Sequence, residues 1–305
     1  MVRRLFFALV AFVVLAADGS VRAAVPSFDA DRAWEHLEKQ VSFGPRVPGS
    51  EGHAACLDWM LEHLREHADT VEPHVFVFAD PYSDRSIQAT NIRASFGPGL
   101  EPRIAIGAHW DTRPRADQET DPARAAQPIL GANDGGSGTA ILLALAEIFA
   151  ENPPPVGVDL LFFDAEDWGE EGDPDHYLIG SKRFVRDHPR YRPRALVLLD
   201  LVGDADLTIP MEGYSLQQAP SLTRMVFQRA MALGLPAFVP ERGQPVYDDH
   251  VPFLQAGIPA LNLIDFDYPA WHTLDDTLDA CSPESLEQVG TLVVHLLWED
   301  FAVGR

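Results

Sequence analysis

The sequence predicts an α/β protein whose sheet is covered by helices on both faces. Three observations carry this. Short apolar runs recur at "RIAIGAHWD", "VDLLFFDAED", "RALVLLDLVGD" and "PALNLIDF", each near-continuous as in a strand buried on both sides. Helical patterns separate them, which is the alternation of α/β folds. Polar residues cluster just past the strand ends: His109 and Asp111, Glu166 and Asp167, and Asp200. In open α/β sheets, ligands bind outside the carboxyl ends of the strands.

The elements follow in order. "MVRR", then the apolar "LFFALVAFVVLAA", then "VRA" ending at Ala23 read as a secretory signal peptide over residues 1–23. The run is short for a membrane span of about 20 apolar residues, and retention as an anchor is the alternative. No later segment is apolar enough to span, so the mature chain is expected to carry no integral membrane segment and to be exported, periplasmic or secreted. "FDADRAWEHLEKQVSF" places Phe28, Trp34, Leu37 and Val41 at helical spacing. "GPRVPGS" breaks that helix, and Ser50 caps the next, "EGHAACLDWMLEHLREH". "VEPHVFVF" and "TNIRASF" read as two strands joined by a turn. After the strand "RIAIGAHWD", residues 112–127 form a polar excursion rich in Arg, Asp and Pro. "GANDGGSG" is a glycine-rich turn leading into the apolar helix "TAILLALAEIFAE". "APSLTRMVFQRAMALG" is a helix. "SPESLEQVGTLVVHLLWEDF" closes the chain, capped by Ser282 with Pro283 at its first position.

The chain has 305 residues, 46% of them hydrophobic, with no linker composition and no repeat, so residues 24–305 are read as a single catalytic domain. A formal net charge of -23 repels phosphate backbones and argues against nucleic acid as a partner. Cys56 and Cys281 are too far apart in sequence for a zinc-site spacing. Export permits a disulfide, and two separate buried thiols fit equally.

Six residues carry the chemistry: His109, Asp134, Glu166, Asp167, Asp200 and His272. Each alone is ordinary, since a lone Asp after a strand is usually a cap and a lone His usually a hydrogen-bonded structural residue. "GANDGGSG" lacks the Lys and the spacing of a phosphate loop. Together they form a set of oxygen and imidazole donors without thiolate, which suits a divalent metal, with zinc the natural catalytic choice. Adjacent Glu166 and Asp167 can divide the work, one binding metal and the other acting as a base.

The motifs "GAHWD", "GANDGGSG", "FFDAED", "LLDLVGD" and "WHTLDD" resemble those of the M28 family of zinc exopeptidases. The C-terminal half, with "YDDHVPFLQAGIPALNLIDFDYPAWHTLDD" and "YLIGSKRF", is similar to the animal-type glutaminyl cyclases of that family. The resemblance implies a three-layer α/β/α fold with a central mixed, mostly parallel twisted sheet. It implies Asp134, Asp167 and His272 as ligands of one zinc, and Glu166 as general base and acid. Asp200 and Asp248 would hydrogen-bond near Glu166. Trp271 would form a wall of the substrate pocket, and Trp168 is a further pocket-lining candidate. A cis peptide after Asp134 is also implied. Animal cyclases and classical M28 aminopeptidases have Glu at the position of Asp167, so this ligand is one methylene shorter here, as it is in similar bacterial cyclases.

Two enzymes fit. A glutaminyl-peptide cyclotransferase acts on peptide or protein N-termini, converting N-terminal Gln to pyroglutamate with release of ammonia. A zinc aminopeptidase would hold two zinc ions, with His109 and Asp200 completing the second site. A binding module with a dead site would have lost its base or a ligand, and neither is missing. Trp271 beside His272, together with "DDHVPFL", favours the cyclase with one zinc.

Overall fold

The structure, a computed structural model, describes residues 24–302. The expected signal segment, residues 1–23, lies outside the described residues. Helix α1 (Ala30–Val41) starts where the Asp29 side chain accepts from the Arg32 N–H, and it buries Ala33 and Leu37. Helix α2 (Glu51–His67) is capped by Ser50, which accepts from the His53 N–H at 3.1 Å.

The main sheet follows. Strand β1 (Thr70–Ala79) pairs antiparallel with β2 (Ser86–Phe96), and β2 pairs antiparallel with β4 (Gly157–Phe163). Strand β3 (Arg103–His109) lies parallel between β4 and β5 (Ala195–Asp200), and β8 (Ala260–Ile264) closes the parallel half beside β5. The order is β1-β2-β4-β3-β5-β8. This is the mixed sheet expected, parallel in its four-strand half. All residues of β4 and β8 are buried, and β3 is buried past its first residue.

Helix α3 (Pro122–Ala125) is a single turn in the polar excursion, and α4 (Gly136–Glu151) packs against β3, β4 and β5 with α1, α2 and the late helix α9 (Pro283–His295) around it. Its close seat depends on Gly138, where an added Cβ would lie 2.3 Å from the Leu199 carbonyl oxygen. Helices α5 (Ile179–Asp187), α6 (Gly213–Gln218) and α8 (His250–Gln255) form the other layer, against β2, β5 and β8. Helix α7 (Pro220–Leu233) ends at Gly234 and packs on α9 and β8.

A small parallel pair, β6 (Ile209–Met211) and β7 (Phe238–Arg242), was not apparent in the sequence pattern. Ser282 and Pro283 open α9 as read, and its last turn widens over Leu296–Asp300. Cys56 and Cys281 are both buried free thiols. No helix among the described residues is long and apolar enough to cross a membrane.

Candidate metal centre and catalytic cavity

The site lies at the carboxyl ends of the parallel strands. His109 is the last residue of β3 and Asp200 the last of β5; Glu166 and Asp167 follow β4, and Asp134 sits two residues before α4. His272 comes from the loop after β8. Ala165, Leu201 and His272, all non-glycine residues, adopt φ of 55°, 48° and 55°. Such left-handed backbone costs about 1–3 kcal/mol per residue. Its placement beside Glu166, Asp200 and the His272 imidazole sets the direction in which each of these side chains leaves the chain.

Three expected ligands meet. Suitable atoms of Asp134, Asp167 and His272 lie within 4.8 Å of one another, and all three residues are buried. His272 Nε2 is 3.6 Å from Asp134 Oδ2 and 3.4 Å from Asp167 Oδ2. Asp167 Oδ2 is buried and has no hydrogen-bond partner. A buried carboxylate oxygen without a partner is costly, and it faces an imidazole nitrogen and a second carboxylate. The donor set therefore fits a divalent metal such as zinc.

The three expected ligands are held from behind. Asp276 accepts the backbone N–H groups of Asn133 and Asp134 at 2.8 and 3.1 Å, and Tyr268 donates its hydroxyl to it. Asp111 accepts the N–H groups of Glu166 and Asp167 at 3.1 and 3.4 Å. Asp117 Oδ1 lies 3.3 Å from His272 Nδ1, the carboxylate–imidazole pairing that orients a metal-binding histidine. Arg113 binds both Asp117 and Asp167. Burial alone would raise Asp167, but Arg113 and His272 overcome it and hold the carboxyl down to about 2.

Sequence reasoning missed Arg113 and Asp117. Both lie in the stretch read as a polar excursion, and composition could not reveal that it folds inward.

His109 shares Asp134. Its Nε2 lies 3.1 Å from Asp134 Oδ1 and 3.2 Å from Asp200 Oδ1. His109, Asp134 and Asp200 also bring ligand atoms within 4.8 Å of one another, so a second ion would find donors there. A third such group, His36, His63 and Glu147, lies elsewhere and is satisfied without an ion. His36 Nε2 is 2.9 Å from Glu147 Oε1, His63 Nε2 is 3.2 Å from the Leu143 carbonyl, and Arg32 binds both Glu147 oxygens through Nε.

Glu166 reaches the same space. Burial pushes its carboxyl well above the usual range, and the Asp167 charge adds to this. Burial and Asp200 do the same for Asp248. Asp200 and Asp248, expected to hydrogen-bond near Glu166, line the same cavity and have other hydrogen-bond partners. Asp200 pairs with His109, and Asp248 accepts from Asn262 Nδ2 and the Asp249 N–H. Asp248 acts on Glu166 through charge, as do Asp167 and Asp249. The peptide after Asp134 is not cis: the cis bond among the described residues is Glu101–Pro102. The turn into α4 is made instead by Gly135 at φ 81°, where a Cβ would lie 2.4 Å from the Asp111 carbonyl oxygen.

These residues open into a cavity of ≈ 340 Å³. Asp134, Glu166, Asp167, Asp200, Asp248 and His272 line its inner end, and Tyr177, Val246, Tyr247, Phe266 and Trp271 line its walls. Trp271 stacks on His272, ring centroids 3.8 Å apart, and leans on Phe266. Lys182 Nζ ties two walls together, donating to the Pro174, Asp175 and Tyr177 carbonyls and sitting 5.4 Å over the Tyr247 ring. Trp168 does not line this cavity. It packs edge-on against Phe78 and donates its Nε1–H to Asp80, because the chain turns away after Asp167 toward β1.

A mixed α/β/α sheet with a histidine–carboxylate group able to hold a metal at its strand ends defines a zinc-exopeptidase-like protein. The family model of peptidase family M28 matches residues 91–297, and the chain belongs to that family. Glutaminyl cyclase of Bacteroides thetaiotaomicron, solved with N-acetylhistamine, superposes with TM-score 0.87 at 34% identity, covering 90% of this chain and 99% of that one. A leucine aminopeptidase precursor from the same organism gives the same TM-score, 0.87, and 34% identity over the same shares, 90% and 99%. Glutaminyl-peptide cyclotransferase of Bos taurus is 28% identical over 284 residues, covering 80% of this chain and 76% of the bovine one.

Proposed function

We propose that residues 24–305 form one catalytic unit, a zinc-dependent glutaminyl-peptide cyclotransferase that acts on peptide and protein N-termini. One observation carries it: Glu166 and the Asp134–Asp167–His272 cluster face a single cavity walled by Trp271. The likeness to bacterial and animal glutaminyl cyclases supports the same reading.

The substrate's Gln side chain packs against Trp271, which brings its α-amine toward Glu166. Glu166 takes a proton from the amine as the amine nitrogen bonds to the side-chain amide carbon, Cδ. The bond from that carbon to the amide nitrogen breaks, and Glu166 returns the proton to the departing ammonia. Asp248, whose burial favours the protonated form, faces the leaving nitrogen. Zinc, when bound by Asp134, Asp167 and His272, supplies Lewis-acid polarisation of the γ-carbonyl. Attack is intramolecular, so the main task of the cavity is to hold the reactive conformer.

A two-zinc aminopeptidase is the second reading, favoured by the His109–Asp134–Asp200 group. The nucleophile of a cyclase is an amine, which needs no second metal, so one zinc is proposed, with His109 as a hydrogen-bonding partner of Asp200. The pattern of residues 1–23 supports export with cleavage after Ala23. A paired assay tests the function: ammonia release from Gln-Xaa dipeptides with no cleavage of leucine anilide is expected, and the reverse overturns the cyclase.

A further inference from the structure

Arg113 is wholly buried, a costly place for a cation. Its setting explains why it is there. All five guanidinium N–H donors have partners. Nε donates to Asp117 Oδ1 at 3.0 Å, and Nη2 donates to Asp117 Oδ2 and, at 2.9 Å, to the Tyr177 hydroxyl. Nη1 donates to Asp167 Oδ1 at 2.6 Å and to the Asp167 carbonyl at 3.2 Å.

Four of these five bonds go to Asp117 and Asp167 and so lead to the metal cluster. By occupying Asp167 Oδ1, Arg113 leaves Oδ2 as the free oxygen, 3.4 Å from His272 Nε2. By fixing both oxygens of Asp117, it sets Oδ1 3.3 Å from His272 Nδ1. That fixes which ring nitrogen points at Asp134 and Asp167. We propose that Arg113 is the positioning residue that presets both Asp167 and His272 for one divalent metal. The proposal rests on the metal-binding part of the reading above.

The ordinary alternative is a buried cation that only neutralises two carboxylates. The two roles differ in what lysine can replace. Lys keeps the charge but has no planar fork, so it cannot hold Asp117 bidentately and Asp167 at the same time.

The test is zinc affinity of the full chain, measured by competition with a chromophoric chelator, with melting of the zinc-free protein as the folding control. Arg113→Lys is expected to melt near wild type without zinc and to bind zinc roughly 10- to 100-fold more weakly. Wild-type affinity in Arg113→Lys overturns the proposal. Tyr177→Phe removes one Arg113 bond without touching either ligand, and its zinc affinity is expected to be unchanged. A loss there as large as in Arg113→Lys overturns positioning in favour of general packing. If Arg113→Lys does not fold, Asp117→Ala carries the test, since it frees His272 while Arg113 still holds Asp167. Undiminished affinity in that variant overturns the proposal. A wild type that binds zinc tightly but releases no ammonia from Gln-dipeptides removes the cyclase reading and leaves the role of Arg113 intact. A wild type that binds no zinc overturns both.

Discussion

Glu166→Gln isolates the proton-transfer step. The cavity offers five carboxylates at its inner end, and four have other work. Asp134 and Asp167 belong to the proposed metal cluster, Asp200 is on His109, and Asp248 is held by Asn262 at 2.6 Å and by the Asp249 N–H at 2.5 Å. Glu166 is fixed only through its backbone, its N–H donating to Asp111 and its carbonyl accepting from Leu178. Glutamine preserves size and both backbone bonds while removing basicity. Loss of a general base costs ~100- to 10,000-fold, or about 2.7–5.5 kcal/mol of transition-state stabilisation. The drop should fall in kcat, with KM little changed, because the side chain is asked to move a proton and not to bind. Ammonia release from a Gln-dipeptide reads the rate, and elemental analysis reads the metal, expected at the wild-type level. The zinc-free variant should melt no lower than wild type, since a buried carboxyl beside like charges is replaced by a neutral amide. A rate within tenfold of wild type would refute the assignment and move suspicion to Asp248. Loss of the metal together with the rate would refute the division of roles between Glu166 and Asp167.

Three further outcomes are expected. His109→Ala should leave the zinc content unchanged and lower the rate modestly; two zincs falling to one, with leucine anilide cleaved by the wild type, would overturn the cyclase. Gly138→Ala should destabilise the fold by about 1–3 kcal/mol in chemical denaturation, because its Cβ would meet the Leu199 carbonyl at 2.3 Å; an unchanged midpoint would show that α4 can shift freely. Burial, followed by the charge of His63, pushes His36 down to about 4, against Glu147, which raises it; Arg32 also lowers it. The unfolded chain therefore takes up the proton first, and the stability present above about pH 6.5 falls as pH drops toward 4, by about 3 kcal/mol in all. His36→Gln, keeping a donor for Glu147, should flatten that slope in denaturation at pH 7.5 and 5; an unaltered slope would place the titration elsewhere.

The layers were legible because the central strands are buried on both faces and so read as unbroken apolar runs. Caps at Ser50 and Ser282 were equally plain, since a side-chain oxygen just before an apolar helix has a local meaning. The β6–β7 pair was not legible. Its strands are three and five residues long, most of β7 is exposed, and its order depends on contacts with distant segments. Helix α8 stayed hidden because "HVPFLQ" carries a proline and no capping side chain.

The stretch from Asp164 to His176 shows where local reading stops. It holds seven carboxylates that look alike in sequence and serve different ends. Asp164 never reaches the cavity. It is buried against His53, at 3.0 Å, and accepts the Thr90 N–H at 2.5 Å, so it ties β2 and α2 to the end of β4. Glu166 and Asp167 enter the cavity only because Ala165 takes a left-handed φ and Asp111 receives their N–H groups. Asp173 stays near the surface, bonded to Tyr82 and His176. What separates these acids is the partner each meets, and those partners lie 3 to 111 positions away along the chain. A strand followed by acidic residues therefore indicates a crevice, while the assignment of ligand, base and tether requires the fold. Arg113 is the sharpest case: its sequence surroundings are those of a solvated loop, and its proposed role arises from the two carboxylates it bridges.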